Sequence, residues 1–368
     1  MKIGVVTFWK SRENFGQMLQ LFALQSFLKK NGHSATLIRT SSLSRIPTLK
    51  TIVKQKIKDI LNIITPFNFQ ALGGKDFSSF LKTNVSYTDR VFYSPEDFTQ
   101  TDLQYDAVIC GSDVVWSEGV GTGGWGKLFF LDFVKAPIKK ISYAASFGAS
   151  ELSGKFSDFI KPMIKKFDAI SVREESGVSV CAELGRPDAV AVCDPTMLLR
   201  KDDYESLIPC HKNVSQTAFA YFIGWDTDIP EKEIKRYAKE KKWSFSRLDS
   251  QIHKRSFKQL FVEPKSIPEW LRTYRDAPCI FTNSFHGTIF ALIFNKPFLF
   301  FPMKGAAQKL NNRVENLLEK IGLIRRIWNP TKSIQEQMDE SIDWLQVNEK
   351  VEEFRCFSLN WLKNALES

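Results

Sequence analysis

The feature that most constrains this chain is a repeated alternation. Short apolar runs, each closed by glycine, serine, threonine, aspartate or arginine, are separated by stretches with helical spacing. "IGVVTFW" is followed by "NFGQMLQLFALQSFLKKNGH", which sets Leu19, Phe22, Ala23, Ser26 and Phe27 on one helical face, with Asn31-Gly32 as the stop. "SATLIRT", "YDAVICGSD", "KKISYAASFG", "FDAISVREES" and "DAVAVCDPT" continue the series. From about residue 200 it restarts with "TAFAYFIG", "WSFSRL", "PCIFTNS" and "PFLFFP", with helices expected over about 231–241, 267–276 and 286–295. Strands that are apolar on both faces and alternate with helices predict parallel sheets covered on both sides. Two such series predict an α/β protein of two Rossmann-like domains facing a central cleft. The first domain is read as 1–200, with the boundary near "CDPTMLLRKDDY". The second is 201–332, and the helical stretch 333–368 is expected to cross back onto the first.

Composition narrows the function classes. The formal charge of +10 suits an acidic small substrate, an anionic membrane surface or a nucleic acid. Basic runs with interleaved aromatics and nucleic-acid signatures are missing, so nucleic acid is the weakest of the three. The start "MKIGVV" enters a strand directly, and no segment approaches the ~18 uncharged apolar residues of a membrane span. A cytoplasmic protein is expected. The six cysteines are scattered without a C-x-x-C pair, as for small core residues in a reduced compartment. One segment, "TLKTIVKQKIKDILNII" (48–64), carries apolar residues at helical spacing with Lys50, Lys54 and Lys58 opposite. It reads either as a face packed on the first domain or as a helix lying peripherally at the inner membrane surface.

In open α/β sheets ligands bind beyond the carboxyl ends of the strands. The polar residues there are Asn14 and Gly16, Ser112 and Asp113, Ser146, Arg173, and Ser284 to Thr288 around His286. "SFHGT" supports two readings. In one, Asn283 or Ser284 caps a helix and the histidine fills a polar notch. In the other, His286 is a general acid/base beside an anion held at a helix start. Arg173, ending an apolar strand, is either paired with Glu174 or Glu175 or set to bind a carboxylate or phosphate. The chain lacks G-x-G-x-x-G and P-loop patterns, and no His/Asp/Glu cluster has metal-ligand spacing. Neither metal nor cofactor is expected, and activity is expected to survive chelation.

Seven segments in order resemble the polysaccharide pyruvyl transferase family: "NFGQMLQLFALQSFLKKNGH", "YDAVICGSDVVW", "LFFLDF", "KKISYAASFGAS", "DAISVREESG", "CDPTMLL" and "TNSFHGTIFALIFNKPF". They span roughly residues 1 to 330, and the resemblance implies a glycosyltransferase-B-like pair of Rossmann-like domains around a cleft, with 1–200 on the acceptor side and 201–332 on the donor side. The resemblance implies transfer of a pyruvyl group from phosphoenolpyruvate to a sugar of a cell-surface polysaccharide or its lipid-linked precursor, as a ketal. It also implies that Arg173 and His286 act at the donor. Some relatives carry an arginine two residues before the histidine, where this chain has Ser284. A hydroxyl brings no charge, so Lys304, Arg313 or Arg12 completes the clamp, or the donor differs. The alternatives are a nucleotide-sugar-dependent glycosyltransferase on the same scaffold and a non-catalytic glycan-associated protein.

Overall fold

The computed structural model describes residues 1–11, 13–41, 77–209, 216–224, 226–250 and 265–368. Arg12, Cys210 and the basic amphipathic segment 48–64 lie outside the described residues. Two all-parallel sheets form the frame. The first contains β1 (Lys2–Val6), β2 (Ser34–Leu37), β3 (Ala107–Cys110), β4 (Lys139–Ala145), β5 (Ala169–Val172) and β6 (Val190–Ala191), in the order β2-β1-β3-β4-β5-β6. The second contains β7 (Thr217–Ile223), β8 (Ser244–Ser250), β9 (Ile280–Thr282) and β10 (Phe298–Phe300), in the order β10-β9-β7-β8. These are the strands expected from the apolar runs, and the architecture is two Rossmann-like units.

Both sheets are wound the same way. The chain leaves the first strand for a neighbour on one side, then returns to pair on the other. The strand order therefore reverses between β1 and β3 in one sheet and between β7 and β9 in the other. Crevices at such switch points are where doubly wound sheets receive ligands. Thr7 and Ser112 stand at the first, and Thr7 Oγ1 donates to the Ser112 carbonyl at 2.9 Å. Asn283 stands at the second, where its amide bridges both backbone groups of Ile223 at 2.7 and 3.0 Å.

The helices that matter for the site are α1 (Phe15–Lys30), α2 (Glu175–Glu183), α3 (Ile267–Asp276), α4 (Phe285–Ile293), α5 (Asn312–Lys320) and α6 (Trp344–Glu367). The sequence predicts one apolar face for α1. Instead α1 is buried on every side from Phe15 to Gln25. The cause is a second burying surface supplied by the other sheet. Phe15 stacks on Trp270 of α3, with centroids 5.1 Å apart and planes 10° apart, and meets Tyr221 edge-on. The polar residues this encloses find partners: Gln20 donates to Thr7 Oγ1 at 3.0 Å, and Gln25 exchanges hydrogen bonds with the Ser86 backbone at 2.9 and 3.0 Å. One continuous core thus joins the two sheets. Four cysteines (Cys110, Cys181, Cys193, Cys279) are buried, whereas Cys356 on α6 is exposed.

The helical stretch expected over 333–366 is two helices, Ile334–Asp339 and α6. α6 lies on the first sheet, where Ser358 Oγ accepts from Cys193 N at 2.9 Å and Lys139 Nζ donates to the Leu366 carbonyl at 2.8 Å.

Candidate functional site

The carboxyl-end rim of the first sheet is charged and buried. Arg173 follows β5, and its side chain is 1% exposed. Its Nη1 donates to Asp194 Oδ2 at 3.1 Å, while Glu174 and Asp113 lie 3.8 and 3.9 Å from its other nitrogens. Among the described residues, Arg173 Nε and Nη2 and Glu174 Oε2 have no hydrogen-bond partner. A buried guanidinium that satisfies only part of its fork retains donor capacity for another oxyanion. Backbone irregularities aim this rim. Asp113 (φ +86°) and Ala144 (φ +54°) are non-glycine residues in left-handed conformation, and the β4–β5 register shifts between Ser142 and Ala145. Such conformations cost on the order of 1–3 kcal/mol each and concentrate at functional sites. Ser146, just past the shift, donates to Glu174 Oε1 at 2.6 Å.

Asp194 is the hub. It follows β6, and both of its oxygens are occupied. Oδ1 accepts from Thr196 N and Oγ1 at 3.0 and 2.7 Å, and Oδ2 accepts from Ser112 Oγ at 3.0 Å besides Arg173. Burial works against the carboxylate, but the neighbouring His286 and Arg173 and the Thr196 backbone donor outweigh it, holding the carboxyl well below its usual range.

The second sheet is neutral where β9 runs into α4. Ser284 caps α4, its Oγ accepting from Gly287 N at 3.2 Å, and Thr288 Oγ1 returns to the Ser284 carbonyl at 3.1 Å. The helix-cap reading of Ser284 therefore holds, and both hydroxyls are used locally. Gly287 is required there, because a Cβ would sit 2.4 Å from Thr282 Oγ1. His286, 7% exposed, projects from this platform into the first rim. Its Nε2 lies 3.6 Å from Asp194 Oδ2, within ion-pair reach and beyond a hydrogen bond, and it has no hydrogen-bond partner among the described residues. The other edge of the ring rests on Gly16 of α1, where an added Cβ would fall 2.0 Å from Nδ1. Asn14 caps that helix through Gln17 N at 3.0 Å. So the two readings of "SFHGT" are compatible: serine caps, and histidine enters the crevice.

Phe285 adds a stacking surface. The Arg173 and Arg313 guanidinium carbons lie 4.6 and 5.5 Å from its ring centre. Burial and the neighbouring Arg173 cation push the Arg313 guanidinium down to about 10, against the pull of Glu174, Asp113 and Asp194. A small cavity of about 30 Å³ is bordered by Arg173, Asp194, Phe285, Arg313 and Lys320. Lys304 stands apart from this group. It is exposed on the rim beyond β10 and paired with Asp228.

The structure thus gathers Gly16, Ser112, Asp113, Ser146, Arg173, His286 and Arg313 around residues that sequence reasoning did not nominate, Asp194 above all. Asp194 sits inside the quoted segment "CDPTMLL", but it reads there as a domain linker. Its signal was position: a lone acidic residue just past the last apolar run of the first series.

The family model for polysaccharide pyruvyl transferase matches residues 14–304, most of the chain. The chain belongs to the polysaccharide pyruvyl transferase family. The match takes in Arg173, Asp194 and His286 and stops before Arg313. Among curated proteins none matches this family member in sequence. Solved structures similar to it include a UDP-N-acetylglucosamine 2-epimerase from Rickettsia bellii, at 12% identity over 100% of this chain and 96% of that one, with a TM-score of 0.49. Another is the UDP-GlcNAc 2-epimerase of Methanocaldococcus jannaschii in complex with UDP-GlcNAc and UDP, at 13% identity over 86% and 87% of the two chains, TM-score 0.46. A third is an alpha-glucosyltransferase in complex with UDP and a 13-mer DNA, at 11% identity over 100% and 94%, TM-score 0.43.

Proposed function

We propose that this protein transfers the pyruvyl group of phosphoenolpyruvate to two hydroxyls of a sugar in a cell-surface polysaccharide or its lipid-linked precursor, forming a ketal. The observation that carries this reading is the meeting of His286, from the second sheet, with Arg173 and Asp194, from the first. The donor is small and multiply anionic, which suits guanidinium groups with free donor capacity and the N-terminus of α1. Protonation of its methylene carbon creates an oxocarbenium-like C2. A sugar hydroxyl adds to C2 and releases its proton, and the C2–O bond to phosphate breaks. A second hydroxyl then closes the ketal and releases a second proton. In this reading His286 carries protons, and Arg173 with Arg313 neutralises the donor's carboxylate and departing phosphate. A lipid-linked acceptor would bring the reaction to an anionic surface, which the lysines of 48–64 and the charge of +10 favour.

The test is incubation with phosphoenolpyruvate and a panel of lipid-linked and nitrophenyl sugars. Phosphate release coupled to a pyruvyl mass gain on one sugar is the expected result. Sugar transfer from a nucleotide sugar, with phosphoenolpyruvate inert, would overturn it.

A further inference from the structure

The imidazole of His286 is held between two unlike neighbours. On its Nε2 side lies Asp194 Oδ2 at 3.6 Å, and on its Nδ1 side lies Gly16, in the first turn of α1. Asp194 cannot swing away, because Ser112, Thr196 and Arg173, all on the first sheet's side, hold both of its oxygens. Nε2 is buried with no hydrogen-bond partner among the described residues. A buried N–H facing a fixed carboxylate closes to a hydrogen bond with little motion. Catalytic contacts of this kind are often long before substrate binds.

We propose that Asp194 is a positioning residue that fixes the His286 tautomer, with the proton on Nε2 toward the carboxylate, so that Nδ1 is the nitrogen that exchanges protons with substrate. A side chain at Gly16 would strike Nδ1, so glycine there is what lets this edge of the ring lie beside the helix start. Two physical arguments converge. A ring nitrogen facing a carboxylate donates to it, and the second nitrogen then carries the lone pair. A helix N-terminus favours the anionic donor on that same side of the ring. In the ketal-forming step the lone pair on Nδ1 takes the proton of the attacking sugar hydroxyl as its oxygen bonds to C2. Nε2–H stays with Asp194, which stabilises the imidazolium that results. The substrate named here rests on the pyruvyl transfer reading. The ring geometry does not.

Two measurements on the full-length protein test it. Nitrogen-15 histidine spectra, recorded where the ring is neutral and assigned by loss of a signal in His286→Gln, report the tautomer among the four histidines of the chain. A single Nε2-protonated form is expected for the wild type, with that bias lost in Asp194→Asn. A ring protonated on Nδ1 in the wild type, or an unchanged tautomer in Asp194→Asn, would overturn the proposal. Kinetics supply the second readout. Asp194→Asn should lower kcat on the order of 10²–10⁴-fold, the range seen when the orienting carboxylate of a catalytic histidine is made neutral, with KM for phosphoenolpyruvate changed less than about tenfold. A kcat within about threefold of wild type would equally overturn it. A wild type that releases no phosphate from phosphoenolpyruvate with any acceptor counts against the donor reading, while the spectra still decide the tautomer.

Discussion

The two sheets end in rims that obey one rule of topology and carry opposite chemistry. Beyond the first sheet, Asp113, Arg173, Glu174 and Asp194 form a buried charged network in which several polar atoms lack partners among the described residues. Beyond the second, Thr282, Asn283, Ser284 and Thr288 are neutral and hydrogen-bonded to their own backbone surroundings. His286 leaves that platform for the first rim, with Phe285 beside it against Arg173. The contrast separates two requirements of a site. One rim stores charge at a cost in stability, and the other is a rigid mount that delivers one ring to it.

The largest expected effect breaks this symmetry directly. Removing Arg173 leaves buried carboxylates uncompensated, so Arg173→Ala should cost about 3–5 kcal/mol of stability as well as activity. His286→Ala should cost only about 1 kcal/mol, an ordinary value for one substitution, and act chiefly on activity. Urea melts of both variants check this. Equal stability losses would mean that the two rims do not differ as described.

Acid titration gives a smaller and more selective effect. The Asp194 carboxyl is held below its usual range in the folded chain, so its contribution is fully present above the unfolded carboxylate pKa, about 4, and is lost as pH falls below that toward the folded value. The stability gap between wild type and Asp194→Asn should therefore close as the pH falls below about 4. A gap that widens below about pH 4 would show that the carboxylate is not stabilised by its neighbours.

The smallest effect concerns Lys304. Its ammonium is exposed and already paired with Asp228. Lys304→Ala should change turnover less than about twofold, as expected for an exposed pair. A large rise in KM for phosphoenolpyruvate would move the anion clamp to the second rim.

The strands were legible because each is buried on both faces and so reads as an unbroken apolar run. The second burying face of α1 was not, since Trp270 and Tyr221 lie far away in sequence and no local period announces them. At the site, Arg173 and His286 were conspicuous as polar residues at the ends of apolar runs. Asp194 was hidden by its strand, because β6 has only two residues, Val190 and Ala191, and the turn after it looks like a linker. Ser284 and Thr288 carry the residue types of a ligand site, but their hydroxyls are spent on the start of α4. Local hydrogen bonding of that kind competes with ligand binding in a way that a sequence pattern does not reveal.

The central claim is that the ring delivered by the second rim does chemistry on an anion held by the first. Single-turnover release of phosphate from phosphoenolpyruvate, with acceptor present, tests it most directly when wild type and His286→Gln are compared at equal folded concentration. A loss on the order of 10²–10⁴-fold in His286→Gln, with the stability of the wild type retained, is the predicted result. Release at the wild-type rate by the folded variant would contradict the account.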